Sequence, residues 1–442
     1  MIKLPEQVNK AICLLKSSGF EAYAVGGAVR DCLLGKVPFD WDITTSARPE
    51  ETEKVFCGER IIETGIKHGT VTVIIDGMPL EITTYRIDGD YTDHRHPQTV
   101  SFSDNLRDDL SRRDFTINTL CCNCDDKIVD AFGGKDDLKN KTIRCVGDPD
   151  TRFSEDALRI MRAVRFSAEL GFKIEKSTSD SILKNRQLLS DVSKERLQVE
   201  FTKLITGKYA TDVIRKYHAV IEVFIPELAP LVGCEQHTKY HKYDVFEHTL
   251  HAVDAVDFND RILRLTMFFH DFGKPDAKTT DENGTSHFKG HAVISEKKTR
   301  DILKRLKFDN NTINEVSKLV LIHDMKSPRD KIQAKKMMCS LGDEAYLNLI
   351  KIKRADNMAK ADPHAIDEKL KNMLSFYEEI KANNECYNLK SLAINGDDIK
   401  AFGIAEGKEI KSSLDFLLNG VIEGKCQNRK DVLLEYLKEN TK

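Results

Sequence analysis

The sequence predicts an α+β fold in which a mixed α/β N-terminal part is followed by a long helical part. Short apolar runs alternate with helical stretches as far as Gly147, Asp148 and Pro149, and from Ser154 onward the apolar residues recur almost throughout at helical spacing. The 442 residues, 40% hydrophobic and 31% charged, are typical of a globular protein and not of a disordered one. Their number suggests about three compact units.

The elements of the first part follow from local patterns. Four short runs predict strands: Glu21–Val25, Asp40–Thr45, Val71–Ile75 and Leu80–Tyr85. Helices are predicted over Ala28–Leu34 and from Pro49, because proline suits the first turn of a helix. Asp76 and Gly77 are typical of a tight hairpin turn, so they join the third and fourth strands.

Breakers divide the helical part. Pro226 and Pro230 interrupt it first, Asp281–Gly284 interrupts it again, and a last segment begins at about Asn395 and Gly396. We find no tandem repeat and no low-complexity tract. Four regions are predicted: 1–147, 148–225, 226–390 and 391–442.

Composition excludes several classes of protein. No apolar run reaches the roughly 18 residues of a membrane span, and Glu6 and Asn9 interrupt the stretch where a signal peptide would be apolar. Eleven cysteines without regular spacing indicate reduced thiols in a cytoplasmic protein. The net charge of −3 excludes a wholly basic nucleic-acid coat but is compatible with a local basic face.

A pair of carboxylates and a pair of glycines give the first functional signal. Asp40 and Asp42 lie two apart on a predicted strand, so both side chains point to one face, where a divalent cation such as Mg²⁺ relieves their repulsion. Gly26 and Gly27 lie at a strand-to-helix turn that can hold phosphates, and Arg30 lies within reach of a triphosphate. The alternative is a solvated D-x-D after an ordinary turn, but the combination favours a nucleotide site.

These motifs resemble a known family. GGAVRD at 26–31 followed by DWDITTS at 40–46 resembles the nucleotidyltransferase superfamily that includes DNA polymerase β, and within it the bacterial class II CCA-adding tRNA nucleotidyltransferases. The resemblance covers nearly the whole chain. It implies that Asp40 and Asp42 hold the catalytic metal ions and that Glu81, in PLEITTYR, supplies a third carboxylate.

The resemblance implies template-independent addition of CCA to the 3′ end of tRNA from CTP and ATP. The terminal 3′-hydroxyl would attack the α-phosphorus as pyrophosphate leaves, with two metal ions neutralising charge. The implied partners are the tRNA acceptor end, CTP and ATP, with no membrane and no protein partner.

RRDFTIN at 112–118 resembles the ribose-recognition motif of the family. Asp114 can accept from sugar hydroxyls and Arg113 can pair with phosphate oxygens. The alternative for RRD alone is a charged helix start at the surface. The three cysteines that follow, Cys121, Cys122 and Cys124, lie in a predicted buried strand and have no second cluster to complete a zinc site.

The stretch 152–172 predicts one helix, with Ser154 as N-cap and Gly171 as its stop. Asp156 and Arg159 would lie about 60° apart on one face and match the EDxxR pair of the family. An acceptor and a donor at this spacing suit cytosine and adenine, whereas uracil and guanine present a carbonyl to the carboxylate.

The alternative for Asp156 and Arg159 is a surface ion pair between residues three apart. Arg162 and Arg165 match further family arginines for the triphosphate, although Arg165 could equally form an ion pair in the neck. KERLQVE at 194–200 resembles a motif that braces this helix.

The polar segment between Glu81 and Arg113 predicts a mobile loop. Family members that add only CC lack such a loop, so its presence favours addition of the terminal A. The alternative is a merely solvent-exposed insertion.

A second constellation consists of histidines and aspartates in the region 237–356. His248, His270, Asp271 and Asp356 resemble the four-ligand pattern of the HD superfamily of metal-dependent phosphohydrolases, and His291 and His323 could bind a second metal. Such residues suit Mn²⁺, Ni²⁺ or Zn²⁺. Some CCA-adding enzymes with this domain cleave phosphomonoesters or 2′,3′-cyclic phosphates. The alternative is a vestigial domain that only supports tRNA.

The resemblance assigns the four predicted regions. They are a nucleotidyltransferase head with an antiparallel-rich sheet and helices (1–147), an all-helical neck with the nucleobase-recognition helix (148–225), an HD-type helical body (226–390) and a helical tail that contacts tRNA (391–442). In the tail, Gly403, Lys408 and Lys411 would meet tRNA phosphates, although each lysine could equally belong to an ordinary surface. Lys411 stands where the family has glycine.

The sequence therefore predicts a CCA-adding tRNA nucleotidyltransferase with an HD-type phosphohydrolase-like domain. A close alternative is an A-adding enzyme or a bacterial poly(A) polymerase, because intact EDxxR chemistry suits both. Alternatives of other classes are an HD phosphohydrolase with an inactive transferase head, which the intact carboxylates disfavour, and a non-enzymatic tRNA chaperone.

Overall fold

The structure of the protein is a computed structural model that describes residues 2–63, 65–66, 69–89, 100–125, 127–238, 240–404 and 407–440. The chain divides into two compact units, Met1–Ala229 with Arg305–Lys307, and Pro230–Lys304 with Phe308–Lys442. The first unit contains the main sheet and the second is mainly helical. This confirms the predicted α+β fold with its α/β part first, while the finer division into four regions stays a prediction.

The first unit mixes strands and helices. Its strands are β1 (Ala22–Val25), β2 (Asp42–Thr45), β3 (Arg60–Ile62), β4 (Thr70–Ile75), β5 (Met78–Thr84), β6 (Arg86–Asp88), β7 (Val100–Phe102), β8 (Cys121–Cys122), β9 (Ile128–Val129), β10 (Thr142–Ile143) and β11 (Lys173–Ile174). Its helices are α1 (Glu6–Ser17), α2 (Gly27–Leu33), α3 (Pro49–Val55), α4 (Leu106–Ser111), α5 (Gly134–Lys139), α6 (Pro149–Glu155), α7 (Leu158–Leu170), α8 (Lys176–Asn185), α9 (Lys194–Ile205) and α10 (Ala210–Ile221).

The main sheet has the strand order β3-β4-β5-β2-β1-β8-β9. Neighbouring strands run antiparallel except β2 and β5, which are parallel. Val8 and Ile12 of α1 and Val71 of β4 belong to one buried cluster of apolar residues beside this sheet. The predicted hairpin is confirmed, because Asp76 (φ 48°) and Gly77 (φ 83°) have the two positive values that a type I′ turn requires.

The second strand begins later than predicted. Strand β2 starts at Asp42, which pairs with Val25 on one side and Glu81 on the other. Asp40 precedes the strand, because β1 ends at Val25 and the chain turns away at Gly26 (φ 83°). The sequence predicted that Asp40 lies on this strand and points to the same face as Asp42. This was wrong, because the alternation of side chains along a strand does not apply to a residue that precedes it.

The helix predicted from Ser154 to Gly171 is two helices. Asp148 and not Ser154 is the N-cap of α6, since its side chain accepts from Thr151 N at 2.9 Å. The helix ends at Asp156, which is extended (φ −134°, ψ 101°), and α7 then runs to the predicted stop at Gly171 (φ 69°). The break arises because Asp156 leaves the helical conformation.

Two other expectations are corrected. The neck is not all-helical, because β11 pairs in parallel with β10. The segment between Glu81 and Arg113 is not wholly a loop, because β6 pairs with β7 and α4 follows, capped by the Asn105 side chain. Backbone pairing with a distant segment, invisible in local patterns, explains both strands. Residues 90–99, the centre of the predicted loop, lie outside the described residues.

The second unit is mainly helical. Its helices are α11 (Val245–Asp254), α12 (Arg261–Phe269), α13 (Lys274–Ala277), α14 (His291–Arg305), α15 (Asn310–Ile322), α16 (Lys331–Leu341), α17 (Asp343–Met358), α18 (Asp367–Ala382), α19 (Gly396–Ala401), α20 (Lys408–Ile422) and α21 (Lys430–Asn440). A small hairpin, β12 (Thr279–Thr280) with β13 (Ser286–His287), surrounds the predicted breaker at Asp281–Gly284. In the part of the chain that the structure describes, every helix is too short or too polar to cross a membrane.

Candidate functional site

A cavity of about 500 Å³ opens in the first unit. Glycine, charged and amide residues with one aromatic ring line it: Gly26, Gly27, Arg30, Asp40, Asp42, Arg112, Arg113, Asp114, Asn118, Asp156, Arg159, Arg162, Arg165 and Phe166. The structure thus brings together every residue predicted for the nucleotide site except Glu81.

Gly26 makes the turn between β1 and α2 at a backbone conformation (φ 83°, ψ −138°) that favours glycine. A Cβ atom there would lie 3.4 Å from Arg113 Nη1 and 3.8 Å from Asp42 Oδ2. A side chain at this position would therefore be in van der Waals contact with the predicted metal-binding carboxylate and an arginine, and would fill the space between them. The bare turn leaves that space to a ligand.

Two of the three predicted catalytic carboxylates lie on neighbouring strands of the sheet. Asp42 on β2 is opposite Glu81 on β5 in the parallel register, and Asp40 lines the same cavity as Asp42. Although Asp42 is exposed to solvent, the surrounding protein atoms raise its pKa to about 6, with Arg113 opposing and the Glu81 and Asp40 charges adding to the rise. This mutual repulsion is the situation that a divalent cation relieves.

Asp109, which the sequence analysis missed, holds the cavity arginines. Its fully buried carboxylate accepts from Thr44 Oγ1 at 3.0 Å, from Arg112 Nε at 3.0 Å and from Arg113 Nη2 at 3.3 Å. The two arginine charges lower the pKa of Asp109 despite its burial. Its spacing of three and four residues from the two arginines, typical of side chains that meet across a helical turn, was the signal that could have found it.

Asp114 is saturated by four donors. Oδ1 accepts from Phe115 N at 2.8 Å and Asn118 Nδ2 at 3.0 Å, while Oδ2 accepts from Arg162 Nε at 2.8 Å and Nη2 at 2.6 Å. Burial would raise the pKa of Asp114, but Arg162 and Asn118 outweigh it and lower the value to about 2. Asn118 Oδ1 in turn accepts from Arg30 Nη1 at 2.8 Å, so one network joins two predicted phosphate-binding arginines.

Asp156 and Arg159 border the cavity but do not pair with each other in the way a surface ion pair would. Arg159 donates to Glu155 Oε2 at 2.7 Å and to the Arg112 carbonyl at 2.7 Å. Asp156 accepts from Arg196 Nη2 at 3.1 Å, and this arginine belongs to the predicted bracing motif. Neighbouring elements therefore hold the two side chains separately.

The Phe166 ring gathers three guanidinium groups. The guanidinium carbon atoms (Cζ) of Arg165, Arg30 and Arg162 lie 3.8, 5.0 and 5.3 Å from the centroid of the Phe166 ring, within the range of cation–π attraction. Arg165 Nε also lies 2.7 Å from Oε2 of the buried Glu200. Arg165 therefore forms an ion pair in the neck and also lines the cavity, as both alternatives for this residue require. Phe166 was missed because an aromatic residue on a helix is more often a core residue.

A second cluster lies in the second unit. Two groups of ligand atoms each fall within 4.8 Å: His248, His270 and Asp271, and Asp271, His291 and His323. Asp356 joins the first group, with Oδ1 3.0 Å from His248 Nε2. The six residues predicted for the histidine-rich constellation therefore converge.

The imidazole rings of this cluster are oriented alike. Each Nδ1 lies close to a backbone carbonyl oxygen: His248 to Ala359 (3.2 Å), His270 to Met267 (2.6 Å), His291 to Phe288 (2.8 Å) and His323 to Val320 (2.6 Å). A carbonyl oxygen only accepts a hydrogen bond, so each Nδ1 carries a proton and each Nε2 points into the cluster, where a neutral ring offers a lone pair. This is the arrangement of metal-binding histidines.

The cluster fits a cation. The Nε2 atoms of His291 and His323 are 3.1 Å apart, and those of His248 and His270 are 3.4 Å apart, so lone pairs face each other. Lys274 Nζ lies 2.7 Å from Oδ2 of the buried Asp271 carboxylate, whereas Oδ1 accepts no hydrogen bond from the described residues. Burial also lowers the pKa of His323 to about 3, so its ring is neutral at pH 7. Imidazole and carboxylate donors together suit a transition metal.

The predicted tail residues are exposed. Gly403 has φ 105°, and Lys408 and Lys411 lie on the first turns of α20 with their side chains in solvent. They belong to a part of the second unit with an apolar cluster of its own, which includes Leu417 and Leu433.

Known families match separate stretches of the chain. The family described as Poly A polymerase head domain matches residues 22–144, and tRNA nucleotidyltransferase domain 2 matches residues 279–437. Of solved structures, a Bacillus stearothermophilus CCA-adding enzyme in complex with CTP is 29% identical, with a TM-score of 0.68 over 98% of this chain and 96% of that chain. A Thermotoga maritima CCA-adding enzyme, 20% identical with a TM-score of 0.64 over 98% of this chain and 95% of that one, shares the fold.

Curated relatives match along almost their entire length. The CCA-adding enzyme of Lactobacillus helveticus is 33% identical over 99% of this chain and 98% of its own. That of Geobacillus kaustophilus is 33% identical over 99% of this chain and 97% of its own. At this identity and coverage, and as its motifs predicted, the chain belongs to the family of CCA-adding enzymes.

Proposed function

We propose that this protein adds CCA to the 3′ end of tRNA, using CTP and ATP and releasing pyrophosphate. The observation that carries the proposal is the single cavity in which Asp40 and Asp42 face five arginines and the Asp156–Arg159 motif. The name of its relatives supports the same reaction.

Asp40, Asp42 and Glu81 would hold divalent metal, with Mg²⁺ the ion that carboxylates of this kind suit. When bound, the metal would neutralise charge and make the 3′-hydroxyl a better nucleophile. Arg113 lies beside Asp42 and is held by Asp109, so it brings positive charge next to the reacting phosphate. No covalent nucleophile is needed, because positioning and charge stabilisation supply most of the acceleration.

The three guanidinium groups around Phe166 form the proposed triphosphate site. Arg30, Arg162 and Arg165 converge on one wall of the cavity, and guanidinium groups match phosphate oxygens in pairs. The four acceptor sites of Asp114 are already taken. Recognition of a ribose hydroxyl by Asp114 would therefore require Arg162 to release one of them.

Asp156 and Arg159 are the proposed nucleobase readers. A carboxylate that accepts and a guanidinium that donates match the amine and the adjacent acceptor of cytosine and adenine. Arg196 holds Asp156 and Glu155 holds Arg159, so the readers are positioned before nucleotide binds. Mispairing with uracil or guanine would leave a charged group unsatisfied, at a cost of a few kcal/mol.

The first experiment follows each labelled NTP onto tRNA lacking its last zero, one, two or three nucleotides, at single-nucleotide resolution. Addition of two C residues and one A, followed by a halt, is the expected result. Addition of A alone would show an A-adding enzyme or a poly(A) polymerase, and no dependence on Mg²⁺ and NTP would show a chaperone. The predicted loop between Glu81 and Arg113, whose presence favours addition of A, has its centre at residues 90–99, outside the described residues.

Two further properties belong to this proposal. Exposed Lys408 and Lys411 would contact tRNA phosphates, which makes binding salt-sensitive. All eleven cysteines are free thiols, which supports a reducing compartment such as the cytoplasm.

A second candidate function is metal-dependent phosphohydrolysis in the second unit. The inward Nε2 atoms and Asp271 Oδ1, which accepts no hydrogen bond from the described residues, favour it. We expect Mn²⁺, Ni²⁺ or Zn²⁺ to support cleavage of a phosphomonoester or a 2′,3′-cyclic phosphate. Asp42→Ala should abolish CCA addition and spare hydrolysis, whereas Asp271→Asn should abolish hydrolysis and metal retention and spare addition. Equal loss of both activities in either variant would contradict two separate sites.

A further inference from the structure

A cavity of about 600 Å³ opens beside the histidine cluster in the second unit. His323 and Asp356 belong to both, so a molecule in the cavity would lie against the proposed metal site. The cavity wall comes from the segment after α15, from α17 and from the beginning of α18. A volume of this size accommodates a small molecule such as a mononucleotide.

The wall of this cavity is strongly cationic. Its charged residues are five cations and two carboxylates: Lys326, Arg329, Lys353, Lys360, Lys369, Asp324 and Asp356. Lys360 pairs with Asp356 at 2.6 Å. Within the described ranges, the side chains of the other four cations form no ion pair and no hydrogen bond. The wall therefore has positive charge that the protein itself does not neutralise.

Lys353 is a partly buried cation of this wall. It lies on α17 between the buried Ile352 and the exposed Arg354, and its side chain is partly buried. Burial lowers the pKa of Lys353, which Asp356 and Asp324 oppose and the like charges of Lys360 and Lys369 reinforce. A partly buried ammonium without an ion-pair partner gains from an anion, so this cavity favours a negatively charged ligand.

We propose that this cavity binds the phosphate group of a nucleotide-sized phosphomonoester, with Lys353 as its inner contact. The cavity thereby selects a phosphomonoester over a 2′,3′-cyclic phosphate as the substrate of the neighbouring cluster. This selection of substrate rests on the phosphohydrolase function proposed above, whereas the binding of a phosphomonoester in the cavity does not. A phosphomonoester carries a charge of about −1.5 to −2 at pH 7 and three acceptor oxygens. A cyclic phosphate is a diester with a single charge, so an unneutralised cationic wall attracts it less.

The experiment is calorimetric titration of the full-length protein with 3′-AMP and with 2′,3′-cyclic AMP, after chelation and again with added Mn²⁺. We expect 3′-AMP to bind about tenfold more tightly than the cyclic compound, which corresponds to about 1.4 kcal/mol. Lys353→Met should weaken 3′-AMP binding about tenfold and bring the two ligands close together. Lys353→Arg should retain the preference, since it keeps the charge.

Lys351→Met is the matched control, because Lys351 is an exposed lysine on the same helix and does not line the cavity. It should bind both compounds as the unchanged protein does. Equal affinity for the two compounds, or an equal effect of the two lysine-to-methionine changes, would overturn the proposal. Far-ultraviolet circular dichroism of each variant shows whether the helical second unit is folded.

Two sources of the phosphomonoester are distinguished by a third ligand, a short RNA that ends in a 3′-phosphate. Binding of this RNA as tight as that of 3′-AMP supports an RNA end, and much weaker binding supports a free mononucleotide. A separate observation, the absence of turnover, would show that the proposed phosphohydrolase function is wrong. Preferential binding of 3′-AMP without turnover under any metal would remove the hydrolytic role and leave the phosphate site.

Discussion

The contact between Asp114 and Arg162 makes a quantitative prediction. Asp114 Oδ2 accepts two hydrogen bonds from Arg162, and the pKa of Asp114 falls from its ordinary 3.8 to about 2. At 1.36 kcal/mol for each pKa unit, the ionised form is favoured in the folded state by about 2 to 3 kcal/mol. Asp114→Asn, which keeps the shape and removes the charge, should therefore destabilise the first unit by about that amount at pH 7.

The assay is urea unfolding followed by the fluorescence of Trp41, the sole tryptophan, which is buried in the first unit. Because the pKa of Asp114 is lowered on folding, its contribution is fully present above about pH 4 and is lost as the pH falls toward 2. The difference between Asp114→Asn and the unchanged protein should shrink over that range.

A double-mutant cycle with Arg162→Met separates the pair from other effects of each change. The coupling free energy between the two positions should be about 2 kcal/mol, within the range measured for residues in one ion-pair network. A coupling below about 0.5 kcal/mol, or a stability difference that does not change with pH, would refute the reasoning.

Three further predictions concern the first cavity and the tail. Gly26→Ala should lower CCA addition at least about tenfold, because its Cβ contacts cavity side chains. Gly19→Ala, with similar φ but open surroundings, should not lower it. Equal losses of activity in the two variants, measured by primer extension, would point to backbone strain alone. Glu200→Gln should raise the KM for CTP more than Glu169→Gln does, since of the two carboxylates on Arg165 only Glu200 is buried; steady-state kinetics that rank them the other way would contradict this. Lys411→Met should weaken tRNA binding and reduce the slope of log affinity against log salt by about 0.9, and an unchanged slope in filter binding would exclude a phosphate contact.

Local signals in the sequence were reliable where the structure depends on neighbours in the chain. The hairpin at Asp76 and Gly77 and the helix end at Gly171 were predicted correctly, because glycine and its neighbours determine these backbone angles locally. The helix break at Asp156 was missed. Nothing in the helical spacing of apolar residues distinguishes one helix from two that meet at a single extended residue.

Partners of charged side chains were poorly predicted. The sequence predicted that Asp156 and Arg159 lie on one face of a single helix, but Asp156 ends one helix, Arg159 lies in the next, and Arg196 and Glu155 hold them. Asp109 and Phe166 also contact the arginines and were not found at all. A charged side chain on a helix is free to choose among partners within reach, and the partners come from segments far away in the chain.

By itself the sequence determined the α+β class, the order of sheet before helices, the family and the types of residue needed for nucleotidyl transfer. These depend on hydrophobic period and on motifs of a few residues, which are local. Only the tertiary structure decided that Nε2 atoms from His248, His270, His291 and His323 converge, and that an unneutralised cationic wall lies beside them. Convergence over about a hundred residues depends on helix packing, for which sequence spacing carries no direct signal.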